Sequence, residues 1–115
     1  MSELHTESCV PCRSGAPPLS TAEITALSAR VSEWAIVDTD TVPKLTRSFR
    51  VANFAEALAC ANRVGEIADE SDHHPQIIVE WGRVTVSWWT HSIKGLHRND
   101  FIMAARTERV LSGSV

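Results

Sequence analysis

The chain has 115 residues, of which 43% are hydrophobic and 22% charged, a composition typical of a globular domain rather than a disordered chain. It has no apolar run near the roughly 20 residues of a membrane-spanning helix, and its first residues lack the basic start and apolar stretch of a secretory signal. We therefore expect a cytoplasmic protein of one domain. The net charge of -3, from 14 acidic and 11 basic residues, disfavours electrostatic binding of nucleic acid.

Residues 1–19 contain three prolines and no apolar period, so we expect a flexible tail before a single domain at 20–115. The tail carries a CxxC pair, Cys9 and Cys12. One such pair supplies only two of the four ligands of a structural zinc site, so zinc would need a second subunit or His5. We favour reduced thiols, because a chain without a secretory signal meets a reducing compartment.

The first half of the domain reads as a helix and two strands. The run STAE at residues 20–23 is a capping box, and the apolar spacing after it predicts a helix over 20–32. A short apolar segment at 34–37 and an alternating segment at 45–51 predict two strands of a hairpin. Arg47 interrupts the second pattern, because it shares the parity of the apolar residues.

A second helix is predicted from the cap at Asn53 to about residue 70, with Cys60 on its packed stripe. Gly65 interrupts this helix at a cost of roughly 1 kcal/mol relative to Ala, which suggests close packing at that point. Pro75 ends any helix before it.

The last third predicts two more strands, at 77–81 and 83–90, which flank a turn at Gly82. A third helix begins near Arg98 or Asn99. The element order is therefore αββαββα.

The densest group of chemically useful side chains follows the second helix, at Asp69, His73, His74, Pro75, Trp81, His91 and Asp100. If the helix persists, Asp69 and His73 lie one turn apart, where the carboxylate would orient the ring. Histidine suits proton transfer near neutral pH because its ordinary pKa is about 6.5. His5 and His97 stand apart from the group, and we interpret them as bystanders.

A metal site is an alternative use of the same side chains, since imidazole and carboxylate are ligands for zinc or iron. The candidates are His73, His74, His91 and Asp100. Adjacent histidines usually diverge, which disfavours joint ligation, so we predict no metal.

The spacing Asp69-x3-His73-His74-Pro75-x5-Trp81-x9-His91-x8-Asp100 resembles the signature of pterin-4a-carbinolamine dehydratases. Residues 20–111 are similar to that family throughout, including Trp34 and the stretch from Thr90 to Leu96. The resemblance implies an α+β domain, with a four-stranded antiparallel sheet and helices on one face. It implies dehydration of 4a-hydroxytetrahydropterin to the quinonoid dihydropterin, which recycles the pterin of an aromatic amino-acid hydroxylase.

The resemblance also implies residue roles. His73 and His91 would move protons, and Asp69 would tune His73. The residues expected to bind the pterin are His74, Pro75, Trp34, Thr90 and Asp100, although Trp34 equally suits a core. Pterin is the substrate, and no metal or redox cofactor is required.

A non-enzymatic role is the main alternative, since some relatives are transcription-factor dimerisation cofactors and others resemble assembly factors for a carbon-fixing enzyme. Assembly-type relatives tend to lose the motif histidines, whereas His73, His74 and His91 are all present. Open sheet edges need pairing, and family members form homodimers or homotetramers, so we expect one of these states.

Overall fold

The computed structural model describes residues 4–7, 9, 19–39 and 41–112. Within these residues the main elements follow the predicted order. The helices are α1 (Thr21–Ser28), α2 (Phe54–Ser71) and α3 (Arg98–Ser112), and the strands are β1 (Ala35–Thr39), β2 (Val42–Arg50), β3 (Gln76–Glu80) and β4 (Arg83–Trp88). The capping box at Ser20 and Glu23 starts α1, and a 3-10 turn at Ala29–Val31 prolongs it.

The four strands form one antiparallel sheet in the order β1-β2-β4-β3, which confirms the predicted α+β class. Gly82, with φ 78°, occupies the left-handed region in the tight turn between β3 and β4. Leu45 lies opposite Trp88 at the β2–β4 pairing, and both are fully buried. The two edges of the sheet are β1 and β3.

The core lies between one face of the sheet and helices α2 and α3. Its buried members include Leu45, Val84, Val86 and Trp88 from the sheet, Ala57, Val64 and Ala68 from α2, and Phe101, Ile102 and Met103 from α3. Arg47 shares this face, which explains the break in the alternation. Its Nη1 lies 2.6 Å from Oε1 of Glu108, and its guanidinium lies 4.5 Å from the centre of the Phe49 ring.

Cys60 is buried on the apolar stripe of α2, as predicted. The prediction of close packing at Gly65 is wrong, because a Cβ atom there would meet nothing within 4 Å. Among the described residues, no helix is long and apolar enough to cross a membrane.

The N-terminal residues differ from the predicted flexible tail wherever the structure describes them. Leu4–Thr6 form a short 3-10 helix that packs on α3, with Leu4 buried in the core. The polar composition concealed this docking, because it depends on one apolar residue and on partners about 90 residues away. Cys12 lies outside the described residues, so the CxxC prediction stays a prediction.

Candidate functional site

The site is built around the end of α2, where the chain leaves the helix sharply. Asp72 adopts the left-handed conformation, with φ 50°. The amide of His73 donates to the carbonyl of Ala68 (3.2 Å), and the amide of Asp72 donates to the carbonyl of Asp69 (3.3 Å). These two bonds form a Schellman motif, so His73 lies beyond the helix rather than on its face.

The predicted contact between Asp69 and His73 is therefore wrong, because it assumed that the helix continues. Asp69 instead lies beside His74, with 3.0 Å between Oδ1 and Nε2. His73 reaches across the fold to α3, where its Nε2 lies 2.6 Å from Oδ1 of Asp100. Each of the two adjacent histidines thus has its own carboxylate.

Asp100 is the most enclosed charged group of the site, with a side chain 0% exposed beside a His73 side chain 11% exposed. Its Oδ2 accepts hydrogen bonds from the Thr90 hydroxyl and the His97 amide, both at 2.9 Å. Both of these partners are donors, which favours an ionised carboxylate. Thr90 and Asp100 were expected to contact substrate, but both are buried and belong to the hydrogen-bond network beside His73.

The ring of His73 is held on a second side by Trp88. The two rings are nearly parallel, at 9°, with centroids 5.7 Å apart. Trp88 is itself fixed by a hydrogen bond from its Nε1 to the Thr107 hydroxyl (3.1 Å). With Asp100 ionised, the proton of neutral His73 belongs on Nε2, which leaves a lone pair on Nδ1. Among the described residues, this Nδ1 has no hydrogen-bond partner.

His91 follows the last strand in a short 3-10 turn, His91–Ile93. The strand expected to run through Thr90 ends at Trp88, and Thr90 instead forms an isolated bridge with Gly95. The exposed His91 ring lies 4.5 Å from the centre of the Trp89 ring. The structure ties this turn to His73 through Thr90, which precedes His91 and donates to Asp100.

His74 and Asp69 form the open part of the site, with side chains 55% and 82% exposed. Pro75 follows His74 directly, and β3 begins at the next residue.

Trp34 is not part of the group of side chains around His73, His74 and His91. It is buried, donates from Nε1 to Glu108 (3.0 Å) and packs edge-on against Phe49, so the structure favours the core alternative.

Two neighbours of the proposed catalytic histidines were missed from the sequence. Trp88 and Trp89 read only as strand residues, and their contacts with His73 and His91 depend on which way each ring points. Lys44 was missed as well, although its Nζ lies 4.2 Å from the centre of the Trp89 ring. Leu45 pairs with Trp88, so the strand register places position 44 next to Trp89. That register was the only sequence signal for the contact between Lys44 and Trp89.

The metal alternative gains no support from the geometry. In the part of the chain that the structure describes, no three side chains of the types His, Cys, Asp and Glu are grouped to hold a metal ion. A shallow cavity of ≈ 450 Å³ between α1 and the start of α3 includes His97 and Arg98 in its lining, but none of His73, His74 and His91.

Comparison with known proteins gives a consistent result. Residues 17–110 match the family described as Pterin 4 alpha carbinolamine dehydratase. A relative from Microcystis aeruginosa, provisionally named pterin-4-alpha-carbinolamine dehydratase, is 48% identical over 110 residues, which cover 96% of this chain and 95% of the relative.

Two solved structures are also similar. A transcriptional coactivator/pterin dehydratase from Brucella melitensis has a TM-score of 0.73 and 28% identity, covering 82% of this chain and 98% of that chain. A pterin dehydratase-like RuBisCO assembly factor of the alpha-carboxysome has a TM-score of 0.54 and 19% identity, covering 66% of this chain and 88% of that one. The second likeness concerns the fold alone.

Proposed function

Since this chain belongs to the pterin-4-alpha-carbinolamine dehydratase family, we propose that it is a carbon-oxygen lyase that dehydrates 4a-hydroxytetrahydropterin. The observation that carries the proposal is the buried pair of His73 and Asp100, whose 2.6 Å contact orients an imidazole with a free ring nitrogen. A carboxylate that fixes the tautomer of a histidine in this way is a common device of general base catalysis.

The reaction itself needs only proton transfers. A carbinolamine carries a hydroxyl group and an amine nitrogen on one carbon. A proton from an acid lets the hydroxyl leave as water, and a base takes the proton of the nitrogen, so a C=N bond forms. Atoms balance with one water released, and nothing is oxidised or reduced. Each well-placed acid or base typically contributes about 10²–10⁴ in rate.

We assign His73 as the base, since its Nδ1 lone pair has no hydrogen-bond partner among the described residues. His91, exposed beside Trp89, is assigned as the acid that protonates the leaving hydroxyl. His74 and Pro75 are proposed to hold the pterin. Asp69 is assigned to orient His74 through their 3.0 Å contact, rather than to tune His73.

The test is an assay on 4a-hydroxytetrahydropterin that a hydroxylase generates in the same cuvette. We expect His73→Ala and His91→Ala each to lose well over tenfold in turnover while remaining folded. Ser92→Ala, an exposed change in the same turn as His91, is the matched control and should keep full activity. Full activity in both histidine variants would overturn the assignment.

A binding role is the second candidate, supported by exposed apolar side chains such as Trp81, which is 74% exposed. Wild-type protein that fails to accelerate the dehydration would favour this role.

Edge strands β1 and β3 carry exposed Ile36, Val37 and Ile78, which supports a homodimer or homotetramer. Light scattering after size exclusion measures that state directly.

For the dehydratase we further propose a cytoplasmic place in tetrahydropterin recycling, downstream of an aromatic amino-acid hydroxylase. The support is family membership. Loss of recycling in a cell that lacks the protein, with restoration by the wild-type gene but not by His73→Ala, tests this placement.

A further inference from the structure

The N-terminal segment Leu4–Glu7 is anchored to the rest of the domain more firmly than its sequence suggests. Leu4 is 4% exposed and belongs to the hydrophobic core. The segment precedes residues 17–110, the part of the chain that matches the family. The segment itself therefore lies outside the matched stretch that carries the histidines.

The first anchor joins this segment to the start of α3. Arg98 donates from Nε and Nη2 to the two carboxylate oxygens of Glu7, both at 2.8 Å. This fork-to-fork geometry fixes direction as well as distance. Hydrogen bonds from Arg98 lower the pKa of Glu7, although partial burial opposes them. Arg98 stands two residues before Asp100, the partner of His73.

The second anchor is Arg106, which joins the segment to the end of α2. Its Nε donates to the carbonyl of His5 (3.2 Å), and its Nη2 donates to the carbonyl of Glu7. Its Nη1 donates to the hydroxyl of Ser71 (2.7 Å). Ser71 is the last residue of α2 and stands two residues before His73.

Each anchor is therefore attached two residues before a member of the same buried pair, His73 or Asp100. His73 and Asp100 are 27 positions apart and belong to different elements, so their contact depends on how the end of α2 sits against the start of α3. Arg98 and Arg106 are eight positions apart on α3, a little over two turns, and both reach the segment Leu4–Glu7.

We propose that the segment Leu4–Glu7 is a positioning element of the active site, which holds the end of α2 and the start of α3 at the spacing of the His73–Asp100 contact. This inference rests on the proposed function only in its kinetic consequence. A displacement of about 1 Å at a reacting group can cost on the order of 100-fold in rate, so a loosened segment should reduce turnover.

The kinetic test compares Arg106→Ala, Arg106→Lys and Glu7→Ala with the control Arg109→Ala, an exposed arginine on the same helix. At a temperature where every variant is folded, we expect Arg106→Ala to lower kcat on the order of tenfold, with KM changed less. Arg106→Lys keeps the charge but not the three hydrogen bonds of the guanidinium, so its kcat should lie between those of Arg106→Ala and the wild type. Arg109→Ala should match the wild type.

The second readout needs no activity. The ¹⁵N chemical shifts of the His73 ring, assigned by their loss in His73→Ala, report its tautomer and its contact with Asp100. We expect them to move in Arg106→Ala and Glu7→Ala, but not in Arg109→Ala. If Arg106→Ala fails to fold, Glu7→Ala and Arg106→Lys carry the comparison.

Unmoved His73 shifts in these variants, with only a lower Tm, would overturn the proposal and leave the segment a purely structural role. A wild-type protein without dehydratase activity would refute the proposed function instead. In that case the ring shifts still decide whether the segment positions the pair.

Discussion

His73 and His74 are neighbours in the sequence, and each places Nε2 beside a carboxylate, yet the two pairs lie in opposite environments. The side chains of His73 and Asp100 are 11% and 0% exposed, whereas those of His74 and Asp69 are 55% and 82% exposed. Solvent screens the outer pair, while the inner pair is held by further hydrogen bonds. The same two residue types thus form a buried, rigidly held contact between His73 and Asp100 and an exposed, weak contact between His74 and Asp69.

The substitution with the largest expected effect is Asp100→Asn, which changes the inner pair of His73 and Asp100. The new amide must keep its oxygen towards the Thr90 hydroxyl and the His97 amide, so its NH₂ group faces His73. That arrangement moves the His73 proton to Nδ1 and removes the free lone pair. We expect kcat to fall by about 100-fold or more, with the tautomer change visible in ¹⁵N spectra. Activity within threefold of the wild type would contradict the role of Asp100.

Gly65→Ala separates stability from activity. Gly65 lies inside α2 with open space where a Cβ atom would stand. Alanine should raise the free energy of unfolding by about 0.5–1 kcal/mol, as measured by urea denaturation. Turnover should stay at the wild-type level, because neither histidine pair changes. A loss of stability would show that the helix surface at this glycine is covered.

Glu7→Gln tests a third carboxylate, of intermediate exposure. Hydrogen bonds from Arg98 are the main cause that lowers the pKa of Glu7 below its ordinary value of 4.5, and the charge of Arg30 acts in the same direction. The contribution of the Glu7 carboxylate to the stability of the fold is therefore complete above about pH 4.5. It is lost as the pH falls through the lowered pKa of Glu7. After allowance for solvent screening we expect Gln to cost about 0.5 kcal/mol at pH 7.

Thermal unfolding between pH 3 and pH 7 provides the measurement. The difference between wild type and Glu7→Gln should be constant near neutrality and should shrink in acid. A difference that grows as the pH falls would have the wrong sign for a carboxylate stabilised in its charged form.

Asp69→Asn should have the smallest effect. The contact with His74 is exposed, and such pairs contribute roughly 0–1 kcal/mol. We expect turnover within about threefold of the wild type and a change in unfolding free energy below about 0.5 kcal/mol, from the same assay and urea titration. A loss as large as that of Asp100→Asn would abolish the contrast between the two pairs.

Much of the fold was predictable because it follows from local patterns. The capping box at Ser20, the alternation in β2 and the glycine of the β3–β4 turn each determine structure within a few residues. The motif also singled out three of the five histidines by their fixed spacing, and their catalytic roles stay a prediction.

The partner of His73 could not be predicted in the same way. The spacing rule that paired it with Asp69 holds only within a helix, and α2 ends at Ser71 because Asp72 turns left-handed without being a glycine. The true partner, Asp100, lies on another element. Trp34 was placed near the pocket by resemblance, whereas its burial against Phe49 and Glu108 depends on tertiary packing.

The two ring contacts described above give the molecule a built-in optical readout. Trp88 is buried in the core beside His73, and the partly exposed Trp89 lies beside His91. A protonated imidazole quenches indole emission, and a buried indole emits at shorter wavelength than a hydrated one. In a variant with Trp34→Phe and Trp81→Phe, where Trp88 and Trp89 are the remaining indoles of the sequence, the blue side of the fluorescence spectrum would follow the charge of His73 and the red side that of His91.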